Sequence, residues 1–557
     1  GGPERFTKTC GLDSARANIH NLIQGAAMDR PKIVVFSGPT STIANSPTLV
    51  TSNKGRSGDD RPLSGRFDHL VAQSLYEPIT IRIKKFSGHP LEEDASDVYF
   101  DDGKDYYEVE LHPEDGAYLL PYMARRKDGS ERGAPFESGD MTNPAIGYGG
   151  RQTFFPDASR IFADIDRTIA GRDEHGEGNL LSRMADFEFI RVLPPAGYTR
   201  KGEKAGEDYF PYQPFPISRR ARYSDLARAT NMVQRTLAQV DLAGAIWLEG
   251  SPTVEETTYW LSLLMDTRLP ITTCASQRTH GQLANDGDRN IVDAVEVILS
   301  GQTAGMGVVG VQDERIYAAR ELKKADDRPG NYKATGGHGG ILGTVGPPVT
   351  IWYRPNYKHT ATSDVNLTRL PADVLFTDTI GDSSPVSVKI KDSGGGLLTT
   401  AIPRVNIVKQ ASYMGEDDSA NPDQEVDILA RIAKALSDQK NPDENSPRLH
   451  GLVLEGTSPY GLGSTSQMAA LAIAVYSGLP VVRVGRSDPG GRVPGFMHDL
   501  SIAGSNLDAN KARLLLMASM LKLGRFPKAK DPRNPTSKEK EALLAKIAEF
   551  QEIFEYH

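Results

Sequence analysis

The chain has 557 residues, more than one ordinary core organises, so two large domains, or two with insertions, are expected. A net charge of -8, with 38% hydrophobic and 24% charged residues, predicts a folded, soluble, acidic protein with no basic stripe for nucleic acid. No stretch approaches the roughly 18 uninterrupted apolar residues that indicate a membrane helix. The two cysteines exclude a disulfide framework and a multi-cysteine metal site. No metal and no cofactor are expected.

The first predicted elements are a helical segment over residues 1–30 and a buried strand over residues 32–36 (KIVVF). A turn rich in hydroxyl groups follows (SGPTSTIA), and it contains Thr40 and Thr42. These two side chains are candidate site residues, although a Ser/Thr turn that only caps a helix is the alternative. The next loop (SPTLVTSNKGRSGDD) holds Lys54, and its Gly, Ser and Asp content predicts a flexible segment able to order over a substrate.

Residues 86–212 alternate strand-like and turn-like pieces without helical periodicity, which indicates a large irregular insertion into the first domain. Ser218 lies just beyond it, in the basic sequence PISRRAR. Ser224 then predicts the start of a helix, because it is a good N-cap before an apolar helical pattern.

The stretch around which the chain is organised follows this helix. Residues 245–248 form an apolar run that ends at Gly250, as a buried parallel strand ends at a ligand-facing loop. Ser251, Pro252 and Thr253 then open a helix with acidic residues in its first turn. Backbone N–H groups at such a helix start stabilise an anion or a developing oxyanion, so we predict a site here.

Further α/β elements continue to the end of the chain. A helix is predicted over residues 290–299 and a strand over 306–311, and Lys324 follows in RIYAARELKKADD, where an exposed helix lysine is the alternative to a site residue. Alternation of strands with helices then predicts a second parallel sheet, with strands at 404–408, 451–454 and 480–484 and helices at 424–437 and 467–477. The tail carries a Thr536-x-x-Glu539 capping box and is predicted to be a helix packed on the second domain.

These motifs resemble the asparaginase/glutaminase family. E-G-S-P-T-V-E-E-T is similar to the family's H-G-T-D-T-M-E-E-T, A-S-Q-R-T…N-D-G-D-R-N to its G-A-x-R-P…S-x-D-G-x-x-N, and S-T-I-A to the end of its T-G-G-T-I-A. The resemblance implies an α/β fold of two domains, a larger N-terminal parallel-sheet domain and a smaller C-terminal α/β domain. We expect residues 1–345 to form the first domain, 346–370 the linker and 371–557 the second domain.

The resemblance also implies roles for individual residues. Thr42 takes the place of the nucleophile, with Thr40 as its rival, and Ser251 replaces the family's second catalytic Thr. Lys324 takes the place of the Lys that completes a Thr-Asp-Lys group. The remaining candidates are substrate-binding residues: Gly250, Pro252, Thr253, Ser218, which lies near the family's carboxylate-binding Ser, and Lys54, which lies nearest to its loop Tyr.

The implied function is hydrolysis of a C–N bond in a small-molecule amide through a Thr or Ser nucleophile. Pro252 replaces the Asp that contacts the substrate's α-amino group in the family, so free L-asparagine is not the expected substrate. The alternatives are a hydrolase in which Ser251 attacks with Lys324 as base, and a non-catalytic small-molecule-binding protein. The resemblance implies a homodimer or homotetramer. The compartment stays open: periplasmic or secreted if a signal peptide was removed before Gly1, and cytoplasmic otherwise.

Overall fold

The computed structural model describes only separate short segments up to residue 191, and most of the chain from residue 223 to 557. Before residue 223 the described residues are 31–37, 49–51, 70–74, 79–84, 106–111, 117–121 and 188–191. After it the gaps are 240, 278–285, 329, 347, 377–385, 416–417 and 439–448. Four predicted site residues lie outside the described residues: Thr40, Thr42, Lys54 and Ser218. So do the predicted helical segment over residues 1–30 and most of the predicted insertion.

The strands described before residue 223 belong to three sheets. They are β1 (Lys32–Ser37), β2 (Leu49–Thr51), β3 (Leu70–Ser74), β4 (Ile79–Lys84), β5 (Tyr106–Leu111), β6 (Ala117–Pro121) and β7 (Glu188–Arg191). Strands β2, β4 and β5 form one antiparallel sheet and β3 pairs with β6, whereas β1 and β7 enter the large sheet described next.

The region from residue 223 to 351 supplies the other elements of the large sheet and the helices that cover it. In chain order these are α1 (Tyr223–Gln239), β8 (Gly244–Gly250), α2 (Val254–Leu264), β9 (Ile271–Ser276), α3 (Gly287–Leu299), β10 (Val308–Gln312), β11 (Arg315–Ala318), β12 (Leu322–Lys324), β13 (Tyr332–Ala334), β14 (Ile341–Thr344) and β15 (Thr350–Ile351). Strands β12 and β13 form a separate hairpin.

The large sheet has the strand order β15-β14-β11-β10-β9-β8-β1-β7. Strands β7, β1, β8, β9 and β10 are parallel, and β11, β14 and β15 continue the sheet in antiparallel pairs. Strands β8, β9 and β10 are buried along their whole length, as expected for parallel strands covered on both faces by helices. Gly310 in β10 allows the hairpin to approach, because a Cβ there would lie 2.5 Å from the Leu322 side chain.

The second half of the described chain builds a smaller sheet. Its elements are β16 (Asp373–Phe376), β17 (Val386–Lys389), β18 (Arg404–Lys409), α4 (Val426–Asp438), β19 (His450–Gly456), α5 (Thr465–Tyr476), β20 (Val481–Gly485), β21 (Ile502–Ala503), α6 (Ala509–Leu523) and α7 (Ser537–Tyr556). Strands β18, β19, β20 and β21 lie side by side and are all parallel. The alternation predicted from the sequence is therefore present, and the fold is mixed α/β.

Helix α6 joins the two sheets, because it packs on β18, β19 and β20 and also on α2 of the large sheet. Helix α7 packs on α6 and β21, and the side chains of Thr536 and Glu539 form its predicted capping box. Strand β15 extends the large sheet to residue 351, within the predicted linker, and the division into domains stays a prediction. Within the described part of the chain, no helix combines the length and apolarity needed to cross a bilayer.

Candidate functional site

The ends of three parallel strands define the edge at which Ser251 lies. Strand β8 ends at Gly250, residues 251–253 form a turn, and α2 begins at Val254. Strand β1 lies on one side of β8 and β9 on the other, with Ser276 beside Gly250. Carboxyl ends of parallel strands meet at one edge of a sheet, which is where α/β proteins bind their ligands.

The Ser251 side chain forms a hydrogen bond with a buried tyrosine. The hydroxyl groups of Ser251 and Tyr332 are in direct contact, and Tyr332 is only 4% exposed. Burial raises the pKa of the Tyr332 phenol, whereas its hydrogen bond to Ser251 acts in the opposite direction. The phenol therefore stays protonated at neutral pH and acts on Ser251 as a proton-bearing partner, not as a base.

Lys324 lies opposite Tyr332 in the β12–β13 hairpin, and not on a helix. Its amine is 5.9 Å from the Tyr332 ring centroid and donates to the backbone carbonyls of Asp326 and Arg328, each at 2.5 Å. In the part of the chain that the structure describes, no hydrogen bond links this amine to the Ser251 hydroxyl. Tyr332 therefore contacts the Ser251 hydroxyl and lies opposite Lys324 in the hairpin.

Glu255 connects the turn to both the hairpin and the second sheet. Its carboxylate accepts the backbone N–H of Lys324 at 2.7 Å, and its backbone carbonyl accepts the buried amine of Lys511 on α6. Burial raises the pKa of the Glu255 carboxyl, and the nearby Lys511 opposes that rise. This network holds the start of α2 against residues from the distant half of the sequence.

The other predicted residues of the turn differ in what they offer a ligand. The Gly250 N–H donates to the buried Glu249 carboxylate at 3.0 Å, so it is occupied. The carbonyls of Pro252 and Thr253 accept the N–H groups of the first helical turn. Pro252 is exposed and Thr253 half-buried, so the backbone N–H groups of Ser251 and Thr253 remain as candidate oxyanion donors on the solvent side.

The segment after β9 completes the frame of the site. Asp286 accepts the Ser276 hydroxyl at 2.9 Å and the Gln277 N–H at 3.2 Å, which joins the end of β9 to the start of α3. The Gln277 side chain in turn accepts the N–H of Gly330 at 2.7 Å, in the loop between β12 and β13. The N-D-G-D-R-N motif therefore supports the hairpin that carries Tyr332.

Sequence reasoning missed two residues of this neighbourhood, Tyr332 and Lys511. A signal for Tyr332 was available, since it is the aromatic residue of a Gly/Asn-rich turn shortly after Lys324. For Lys511 no local signal exists, because a lysine in a helix is ordinarily solvated. Among the described residues, no group of three or more His, Cys, Asp or Glu side chains is arranged to hold a metal ion.

Comparisons with known proteins match this chain to asparaginases and glutaminase-asparaginases. Residues 183–331 match the family model for the N-terminal region of asparaginase, and this range contains Ser251 and Lys324. A glutaminase-asparaginase from Acinetobacter glutaminasificans is 28% identical over 152 residues, which are 27% of this chain and 45% of that protein. The L-asparaginase 2 of Bacillus subtilis is 24% identical over 300 residues, 53% of this chain and 66% of that protein.

Two further comparisons extend across more of the chain. The L-asparaginase 2-3 of Saccharomyces cerevisiae is 24% identical over 315 residues, 56% of this chain and 73% of that protein. A crystal structure of a probable cytoplasmic L-asparaginase from Campylobacter jejuni aligns with 72% of this chain and 94% of that one, with a TM-score of 0.46 and 19% identity. The matches to the Acinetobacter and Bacillus proteins span about half to two thirds of those relatives.

Proposed function

We propose that this chain, a member of the asparaginase-like family, is an amidohydrolase that cleaves the C–N bond of a small-molecule amide. The observation that carries the proposal is the Ser251–Tyr332 hydroxyl pair at the end of β8, within the range matched by the asparaginase model. A half-exposed hydroxyl at a strand end, bonded to a buried phenol and next to a helix start, is suited to amide chemistry.

The reaction that we propose has two steps. The Thr42 hydroxyl attacks the amide carbon, and the oxyanion that forms is stabilised by N–H groups of the Ser251–Thr253 turn. The proton of the attacking hydroxyl is relayed through the Ser251–Tyr332 pair to the leaving nitrogen, and collapse of the intermediate expels ammonia or an amine. Water then attacks the acyl-enzyme, one of its protons returns to the oxygen of the nucleophile, and the acid is released. The high pKa of Tyr332 keeps its proton available for this donation.

The alternative with Ser251 as nucleophile and Lys324 as base requires a rearrangement. The Lys324 amine is bonded to two backbone carbonyls, and as a base it would have to leave both and approach Ser251. We therefore favour Lys324 as a positively charged residue that orders the β12–β13 loop. The non-catalytic binding protein remains an outcome of the test below.

Pro252 supports a substrate other than free L-asparagine. Its ring carries no carboxylate to accept an α-ammonium group, and its exposed position leaves that side of the turn apolar. Loss of one charge-assisted hydrogen bond costs roughly 1.5–3 kcal/mol, which corresponds to about a 10- to 150-fold loss in specificity constant. Pro252→Asp should raise kcat/KM for L-asparagine relative to neutral aliphatic and aromatic amides. Equal values of this ratio in the two proteins would contradict the assignment.

The test of the activity is release of ammonia or amine from a panel of amides. Thr42→Ala and Ser251→Ala should each abolish turnover, while Ser251→Thr should retain part of it and Ser437→Ala, an exposed helix serine, should have no effect. Turnover that survives both Thr42→Ala and Ser251→Ala would overturn the proposal. Ligand-induced thermal stabilisation without turnover across the panel would indicate a binding protein instead.

We further propose that the chain acts as a homodimer or homotetramer. The resemblance assigns part of each cleft to a neighbouring subunit, and Phe496 and Met497 expose apolar surface in the second sheet's long loop, at 46% and 87%. Sedimentation equilibrium should give a mass at least twice 60.6 kDa. A single monomeric species at assay concentration would contradict this part of the proposal.

A further inference from the structure

A cavity of about 430 Å³ lies away from the Ser251 turn, on the other part of helix α2. Its lining includes Tyr259 and Ser262 of α2, Arg320 after β11, Asn506 before α6 and the segment 353–359, but neither Ser251 nor Lys324. The volume falls in the range of small-molecule pockets, roughly 300–1,000 Å³. The cavity is therefore large enough for a ligand and separate from the chemistry already proposed.

One buried polar group in its wall lacks a partner. Tyr259 is 3% exposed, and within the described residues its hydroxyl has no hydrogen-bond partner. Burial raises the pKa of this phenol, so it is a donor at neutral pH. Buried hydroxyls without partners are rare in native proteins, and each calls for an explanation, of which a bound ligand is one. A ligand acceptor in the cavity would satisfy this donor.

Among the described residues, the charged side chains around the cavity differ in whether they have an ion-pair partner. Arg320 lies 3.4 Å from the Glu321 carboxylate, and Lys358 lies 2.6 Å from Asp364. Burial lowers the pKa of His359, which also lines the cavity, so this ring adds no charge at neutral pH. Arg354 is exposed at the rim and forms no ion pair with any residue that the structure describes. A cation at the rim that has no ion pair among the described residues favours an anionic ligand.

The remaining walls determine what kind of anion fits. Met306, Val308 and Ala318 supply an apolar surface, and the guanidinium of Arg320 stacks on the Tyr357 ring at 3.7 Å. Inorganic anions gain nothing from apolar walls, whereas an organic body loses water on contact with them. We propose that this cavity binds a small organic monocarboxylate, with Arg354 pairing its carboxylate, Tyr259 donating to it and the apolar wall covering its body.

Isothermal titration of the full chain with benzoate tests the proposal, and benzamide, inorganic phosphate and sodium chloride serve as comparison probes. All proteins carry Ser251→Ala, so that benzamide is not consumed. Benzoate should bind, and benzamide and phosphate should bind at least about tenfold more weakly, because they lack the charge or the apolar body. Equal binding of benzamide or phosphate, or no binding of benzoate beyond the salt control, would overturn the proposal.

Variants assign the binding to this cavity and not to the Ser251 turn. Arg354→Gln should weaken benzoate binding about 5- to 10-fold, whereas Arg268→Gln, an exposed arginine outside the cavity, should leave it unchanged. Tyr259→Phe should weaken binding about 3- to 10-fold and yet leave the unliganded melting temperature unchanged or higher, because it removes a buried hydroxyl without a partner. If Arg354→Gln and Tyr259→Phe bind benzoate as tightly as Arg268→Gln does, the ligand binds outside this cavity.

Discussion

Replacement of Lys511 tests whether a buried ammonium holds the two sheets together at the candidate site. Lys511 is 2% exposed on α6, and its amine donates to the carbonyls of Glu255 and, at 2.7 Å, of Ala319. Both acceptors belong to the large-sheet half of the molecule. Burial lowers the pKa of Lys511, and the carboxylates of Glu255 and Asp508 oppose this shift most strongly. The ammonium therefore neutralises buried acids and satisfies two carbonyls.

Lys511→Met keeps the length of the side chain and removes the charge. Two buried carbonyls lose a donor and Glu255 loses its main counter-charge, whereas Asp508 keeps Lys323 at 3.1 Å. Removing one partner of a buried charge pair costs about 3–5 kcal/mol, because the remaining charge stays desolvated. We expect a loss of this size in the free energy of unfolding at neutral pH. The control Lys546→Met breaks a surface pair and should cost less than about 1 kcal/mol.

Equilibrium unfolding in urea provides the measurement. The chain's three tryptophans are Trp247 in β8, Trp260 in α2 and Trp352 directly after β15, so their fluorescence reports on the large sheet, while far-ultraviolet circular dichroism reports on both sheets. Adding Glu255→Gln to Lys511→Met should restore about 1–3 kcal/mol, because no charge then remains unpaired. Equal stability of Lys511→Met and Lys546→Met, or no recovery with the second substitution, would contradict the role of the Lys511 ammonium.

Three further predictions follow from individual side chains. Tyr332→Phe should lower kcat about 10- to 100-fold on any amide that is turned over, with the exposed control Tyr413→Phe unchanged; equal rates would remove Tyr332 from the mechanism. Burial raises the pKa of Asp293 to about 7, so between about pH 4 and 7 the folded state keeps a proton that the unfolded state releases, and the free energy of unfolding falls as the pH rises. Asp293→Asn should therefore stabilise the protein by about 3 kcal/mol more at pH 8 than at pH 4.5, as measured by urea titrations. Burial lowers the pKa of His557 to about 4, so the free energy of unfolding falls as the pH drops from about 6.5 to 4. The loss in free energy of unfolding caused by His557→Gln should therefore shrink by about 2–3 kcal/mol between pH 7.5 and 4.5. A loss that stays constant with pH would contradict the buried neutral ring.

The regular elements were predictable because local patterns determine them. Apolar residues recur at the spacing that burial requires in the buried strand β8, in the helix after Ser224 and in the strands and helices from β18 to β20. The capping box of α7 was equally readable, because Thr536 and Glu539 satisfy backbone groups within one turn. Differences of one or two residues at element ends reflect fraying and carry no further meaning.

The contacts of the candidate site were less predictable, because they depend on register and on distant packing. The pairing of Lys324 with Tyr332 depends on the loop of the β12–β13 hairpin, which no two-residue turn signal specifies. The motif comparison gave Lys324 a role at a hydroxyl, whereas its amine bonds to carbonyls of its own loop. Lys511 and Glu255 are 256 positions apart in the sequence, so only the folded arrangement reveals their contact.

The position of β7 bears on how this chain behaves if it is shortened. Its four residues lie inside the range predicted as an insertion, yet they pair with β1 and form one border of the large sheet. Without β7, the strand KIVVFS would present unpaired N–H and C=O groups along an apolar segment, a template for pairing between chains. Shortened proteins that keep Glu188–Arg191 should therefore remain in solution, while those that lack it should assemble into fibrillar or amorphous aggregates.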